Sequence, residues 1–213
     1  MKHYWHKKQN HSCLLLIFNG WGCDAHILNN LEKDNYDILL FYDYTTLETD
    51  LSEQLQHYKH IDVLAWSLGV YAADTALSGV KNIRKQVALN GTLYPVNDQK
   101  GIPRKIFEKT LQELNEHTVK TFFQKIAGTE HFDKPPTCVF SRRSFQSQFS
   151  ELVSLAHSFT HTHIPQTQWD LALIAVNDRI FPYRNMQRAW GKLSYPIKGN
   201  HYVDFQKIID EFL

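Results

Sequence analysis

The stretch Ala65-Trp66-Ser67-Leu68-Gly69 constrains this chain more than any other. An apolar run, Ile61-Asp62-Val63-Leu64, leads into it, and the small-residue run Val70-Tyr71-Ala72-Ala73-Asp74-Thr75-Ala76-Leu77 leads out. The pattern reads as a buried strand, a one-serine turn and a helix. Small residues two before and two after the serine let strand and helix approach closely. The serine then sits on a strained turn with its Oγ exposed. Ala65 stands where such turns usually carry glycine, one methyl group larger.

The rest of the chain keeps this rhythm. Apolar runs at Cys13–Phe18, Asp37–Tyr42, Asp62–Trp66, Gln86–Leu89, Leu171–Val176 and Leu193–Ile197 read as strands. Helical segments at Ala25–Leu31, Leu47–Tyr58, Leu68–Leu77, Pro182–Trp190 and Val203–Phe212 alternate with them. Such alternation predicts an α/β architecture, a mostly parallel sheet with helices on both faces. Tyr4–Lys8 adds an antiparallel edge strand. From about Pro95 to Thr167 the periodicity turns helical: Ile106, Leu111 and Leu114, then Val119, Phe122, Phe123 and Ile126. A further helix is expected over Ser144–Phe159, with Gly128 and Pro135-Pro136 separating the pieces. Because strands resume afterwards, residues 95–167 read as a helical lid insertion within one domain spanning 1–213.

Bulk properties exclude several classes. A length of 213 residues and 43% hydrophobic content suit one globular domain with a substantial core. A formal net charge of +1 gives no mandate for nucleic acid or a membrane surface. The longest apolar run, Cys13–Phe18, falls far short of the roughly 20 residues that span a bilayer. Basic residues near Met1 are not followed by the apolar core of a signal peptide. Cys13, Cys23 and Cys138 are an odd number without CxxC spacing, which predicts reduced thiols in the cytoplasm. Among twelve scattered histidines, His157, His161 and His163 come nearest to a cluster. They lack Cys or carboxylate partners at zinc spacing, so no metal is expected.

A serine hydroxyl needs a base to become nucleophilic and an acid to orient that base. On this type of sheet the order along the chain is Ser, then Asp or Glu, then His. Asp178 follows the run Leu171–Val176 and so lies at the carboxyl edge of a buried strand. His201 follows the last predicted strand, in Lys198-Gly199-Asn200-His201, on a loop able to reach over Ser67. His157, His161 and His163 precede Asp178 and are in the wrong order. An oxyanion hole requires two backbone N–H groups. Leu68, after the serine, supplies one at a helix N-terminus. Trp21 supplies the other, in the glycine-bearing loop Asn19-Gly20-Trp21-Gly22 after an early strand.

With these elements in place, the chain resembles a known family. Asn19-Gly20-Trp21-Gly22, Ala65-Trp66-Ser67-Leu68-Gly69, Ala88-Leu89-Asn90-Gly91-Thr92 and Gly101-Ile102-Pro103 look like the BioG-type pimeloyl-[acyl-carrier-protein] methyl ester esterases of biotin synthesis. The related BioH esterases share the G-W-G and W-S-x-G elements. The resemblance implies a cytoplasmic α/β-hydrolase that cleaves the methyl ester of pimeloyl-ACP methyl ester without a cofactor. It implies Ser67 as nucleophile, Asp178 as acid, His201 as base, and Trp21 and Leu68 as oxyanion donors. Ala65 departs from the generic hydrolase pattern by one methyl.

Acyl carrier proteins are strongly acidic, so a basic docking surface is expected near the site. Arg142-Arg143 is the densest basic pair of the insertion and the expected contact to the carrier or its phosphopantetheine phosphate. Two other classes stay open at this stage. One is a serine esterase or thioesterase acting on another acyl group, the other a non-catalytic binding protein on the same fold.

Overall fold

Past its first residue the strand at Cys13–Phe18 meets no water: Leu14 through Phe18 are all fully buried. Such unbroken apolar runs belong to strands covered on both faces. A computed structural model describes residues 1–29, 31–47, 51, 55–128, 139–159 and 164–213. Seven strands form one sheet: β1 (Lys2–Lys7), β2 (Cys13–Phe18), β3 (Tyr36–Tyr42), β4 (His60–Trp66), β5 (Ile83–Leu89), β6 (Leu171–Ala175) and β7 (Ser194–Ile197). Their order is β1-β3-β2-β4-β5-β6-β7, with only β1 antiparallel to its neighbour.

This order positions the site. The chain leaves β2 toward β3 on one side, then crosses back to place β4 on the other. Loops after β2 and β4 therefore diverge and open a crevice at the carboxyl edge, where open α/β sheets bind ligands. Register keeps that edge level: Phe18 pairs with Ala65, Trp66 with Leu89, Leu89 with Leu173, and Ala175 with Ile197.

Helix α1 (Gly69–Ala76) follows β4 directly. Between β5 and β6 come α2 (Arg104–Gln112), α3 (Glu116–Ala127) and α4 (Phe145–Ser158). Asn115 opens α3 with a reciprocal capping box to Thr118. The chain closes with α5 (Tyr183–Trp190) and α6 (Phe205–Phe212).

The strands, the edge strand and most helices fall where the sequence predicts them. Three differences have physical reasons. Ala25–Leu28 is a single 3-10 turn, because Asn29 bonds back to His26 and its ψ of 120° leaves the helical path. Strand β5 begins at Ile83, before the apolar run, because Arg84 forms an ion pair with the buried Asp62. On α2, Phe107 is buried while Ile106 is exposed. The predicted helix Leu47–Tyr58, Pro135-Pro136, Cys138, His161 and His163 lie wholly or partly outside the described residues. No helix among the described residues is long and apolar enough to cross a membrane.

Candidate active site

Ser67 sits at the junction of β4 and α1 with φ +59, a backbone conformation that is uncommon for a side-chain-bearing residue. Its N–H donates to the Leu89 carbonyl (2.9 Å) and its carbonyl accepts from Val70 (3.1 Å), so both sides of the turn are held. Two glycines make the turn possible. A Cβ on Gly69 would overlap the carbonyls of Asn19 and Phe18, and one on Gly91 would overlap the carbonyl of Ser67. Gly91→Ala is expected to cost about 1–3 kcal/mol by overpacking. A melting temperature lower by several degrees, together with reduced turnover, is the result to look for.

Three distant side chains meet above this turn. His201 Nε2 lies 2.8 Å from Ser67 Oγ, and His201 Nδ1 lies 2.8 Å from Asp178 Oδ2. The other carboxylate oxygen of Asp178 accepts the N–H groups of Ile180 (2.7 Å) and Phe181 (2.9 Å). A carboxylate can only accept, so Nδ1 carries the ring proton and Nε2 presents a lone pair to the serine hydroxyl. His201 is 2% exposed and Ser67 6% exposed, a nearly dry setting that strengthens both bonds.

Residues to which the sequence analysis assigned no site role hold the histidine. Trp66 Nε1 and Asn90 Nδ2 each donate to the His201 carbonyl at 2.8 Å. Asn90 Oδ1 accepts the Ala175 N–H (2.7 Å), tying the loop of His201 to the end of β6. Phe181 stacks on the imidazole, with 6.0 Å between centroids and 8° between planes. The available signal was a polar residue closing an apolar strand: Asn90 ends the run Val87-Ala88-Leu89 and is fully buried.

A cavity of about 400 Å³ opens over these residues. Gly20, Trp21, Ser67, Leu68 and His201 line its floor, and α2, α3 and the turn between them wall it with Phe107, Leu114, Phe122 and Ile126. Trp21 and Leu68 thus share the cavity with Ser67, and among the described residues neither backbone N–H has a hydrogen-bond acceptor. Exposed Ile106 is accounted for here, since it borders the same cavity. Lys125 and Arg179, both exposed, also border it.

Arg142 and Arg143 behave differently from one another. Arg142 is exposed. The expectation that Arg143 meets a carrier is corrected: its side chain is only 8% exposed and is spent on internal carboxylates, Glu151 at 2.6 Å and Asp43 at 3.1 Å. A guanidinium so paired has no face left for an external phosphate. Burial pushes the Glu151 carboxyl above its ordinary value, against the opposing pull of Arg143 and of the Tyr44 and Gly22 N–H groups. Asp43 is also penalised by burial, but bonds from Lys2 and Thr45 and the charge of Arg143 outweigh this and hold it below 3.8.

A carboxyl whose folded value lies below its unfolded one adds stability above that unfolded value, and the gain is lost as pH falls through the folded value. Asp43→Asn is therefore expected to lower the melting temperature by a constant amount at neutral pH. The deficit should shrink below about pH 4, which melting curves of both proteins across that range would check.

The sheet order, the turn bearing Ser67 and the structures it resembles define the α/β-hydrolase fold. MenH from S. aureus, for example, superposes with a TM-score of 0.62 at 13% identity, over 99% of this chain and 97% of that one. The family described as "Pimeloyl-ACP methyl esterase BioG" matches residues 1–209, and the chain belongs to that family. The crystal structure of BioG from Haemophilus influenzae is 32% identical with a TM-score of 0.86, covering 97% of this chain and 96% of that one. A Bacteroides fragilis protein named malonyl-[acyl-carrier protein] O-methyltransferase is 35% identical over 204 residues, 93% of this chain. This chain spans only 41% of that protein's length.

Proposed function

We propose that this chain is a cytoplasmic serine carboxylesterase that removes the methyl group from pimeloyl-[acyl-carrier protein] methyl ester in biotin synthesis. The observation that carries this reading is the hydrogen-bonded line Ser67–His201–Asp178 on the floor of a largely apolar cavity. Family membership supports the substrate. The B. fragilis relative adds support: its name describes methyl transfer to a carrier-bound acid, and ester hydrolysis is the complementary step.

The chemistry follows from the geometry. Oγ of Ser67 attacks the ester carbonyl as His201 Nε2 takes its proton. Asp178 stays ionised and stabilises the imidazolium. The N–H groups of Trp21 and Leu68 receive the charge that builds on the carbonyl oxygen, a contribution of roughly 3 kcal/mol per donor. His201 then protonates the departing methoxide, leaving pimeloyl on Ser67. Water, deprotonated by the same imidazole, attacks this acyl-enzyme and regenerates the serine. Water is the only co-reactant.

Helices α2, α3 and α4 act as a lid whose apolar walls accept the acyl chain. With Arg143 occupied internally, the carrier-facing cations are Lys125 and Arg179 at the cavity border, with Arg142 further along the insertion. The test is release of methanol from methyl-pimeloyl-ACP by purified protein, with rates on short p-nitrophenyl esters alongside. Cleavage of the carrier-bound ester, together with rescue of a biotin auxotroph lacking its own esterase, supports the reading. Activity on p-nitrophenyl esters alone would redirect it to another acyl substrate. Inertness to both, with no fluorophosphonate labelling of Ser67, would leave a binding protein.

A further inference from the structure

Helix α4 carries a fully buried carboxylate, Glu151, that faces the loop bearing Trp21. One Glu151 oxygen accepts the Gly22 N–H (3.1 Å) and the Arg143 guanidinium (2.6 Å); the other accepts the Tyr44 N–H (3.0 Å). Arg143 also donates to the Cys23 carbonyl (3.3 Å) and pairs with Asp43. Gln148, one turn earlier, donates to the Gly22 carbonyl (2.9 Å), and its own carbonyl accepts the indole N–H of Trp21 (2.8 Å). Both residues flanking the Trp21–Gly22 peptide are thus tied to one helix that lies more than a hundred residues away in sequence.

We infer that Glu151 and Arg143 are positioning residues, holding the Gly20–Cys23 loop so that the Trp21 N–H points into the cavity above Ser67. The inference rests on the reading of Ser67 as nucleophile and the Trp21 N–H as an oxyanion donor. A buried ion pair adds little net stability compared with a well-packed apolar pair. What it adds here is direction, because a carboxylate with fixed oxygens orients the two N–H groups it accepts. Oxyanion donors act only when preset, so a loop that wanders loses transition-state stabilisation without losing substrate affinity.

Glu151→Gln tests this, since it keeps the shape while presenting an NH2 group to donors that need an acceptor. The readouts are kcat and KM on a p-nitrophenyl ester and on its thiono analogue, whose sulfur is a poor fit for an oxyanion hole. The expected result is a kcat lowered about tenfold or more with KM within about twofold, and a smaller oxygen-to-sulfur rate ratio than in the parent. Outright loss of a donor costs about 10²–10³, which sets the upper bound. If the single variant does not accumulate folded, Arg143→Met/Glu151→Gln leaves no lone buried charge and carries the same test. A folded variant with parental kcat and an unchanged oxygen-to-sulfur ratio overturns the inference. Ser67→Ala, measured alongside, separates the two failures: if it stays active, the underlying mechanism is wrong. If it is inactive while the Glu151 variant is unaffected, only the positioning role falls.

Discussion

Ser67→Ala is expected to lower turnover of every ester substrate by on the order of a millionfold, the size seen when a nucleophile working as part of a unit is removed. The loss comes from one atom. Among the described residues no other hydroxyl is bonded to His201 Nε2, and on the proposed mechanism the acyl group has no other oxygen there on which to form its covalent intermediate. Stability should change little, because alanine keeps the backbone and the turn is held by main-chain bonds to Leu89 and Val70. Turnover, melting curves and fluorophosphonate labelling of the two proteins check the prediction together. Parental rates from the variant would sink the mechanism outright.

Asp178→Asn is the second large effect, at roughly 10⁴-fold in kcat. One side-chain oxygen of Asp178 must keep accepting the Ile180 and Phe181 N–H groups, so the new NH2 is forced toward His201 Nδ1. Facing a donor, Nδ1 becomes an acceptor and the ring proton moves to Nε2. The imidazole then shows Ser67 a proton where it needs a lone pair. The fold should persist, since the change is isosteric and the residue is held by its own turn. Measured rates should recover in part at high pH, where less help is needed to remove the serine proton. An unaltered kcat at neutral pH would mean that His201 takes its orientation elsewhere, for instance from Trp66 and Asn90 through its carbonyl.

Sequence was most informative where backbone geometry restricts residue choice. The small residues around Ser67 are dictated by contact: the Gly69 and Gly91 positions have no room for a methyl group. Likewise the buried strands read as mostly apolar runs, which is why their limits were legible to within a few residues. Ser67, Asp178 and His201 were legible because each follows a strand that ends at the same edge. Arg143 was misread because charge density in a sequence carries no direction, and an arginine bound for a buried carboxylate looks the same as one bound for solvent. Glu151 had left a trace. It lies on the apolar face of α4 with Gln148, Leu152 and Leu155, where an unpaired charge would be costly.

Taken alone, the amino-acid order determined the layered α/β plan, the serine-bearing turn and the identities of its two partners, since local sterics and strand burial leave a periodic record. Tertiary structure alone decided which polar groups hold the site together: the grip of Asn90 and Trp66 on the His201 carbonyl, and the ties from α4 to the Trp21 loop. Those bonds join segments about a hundred residues apart. A hydrogen bond at that range depends on where two backbones end up in space, and neither end signals its partner in sequence.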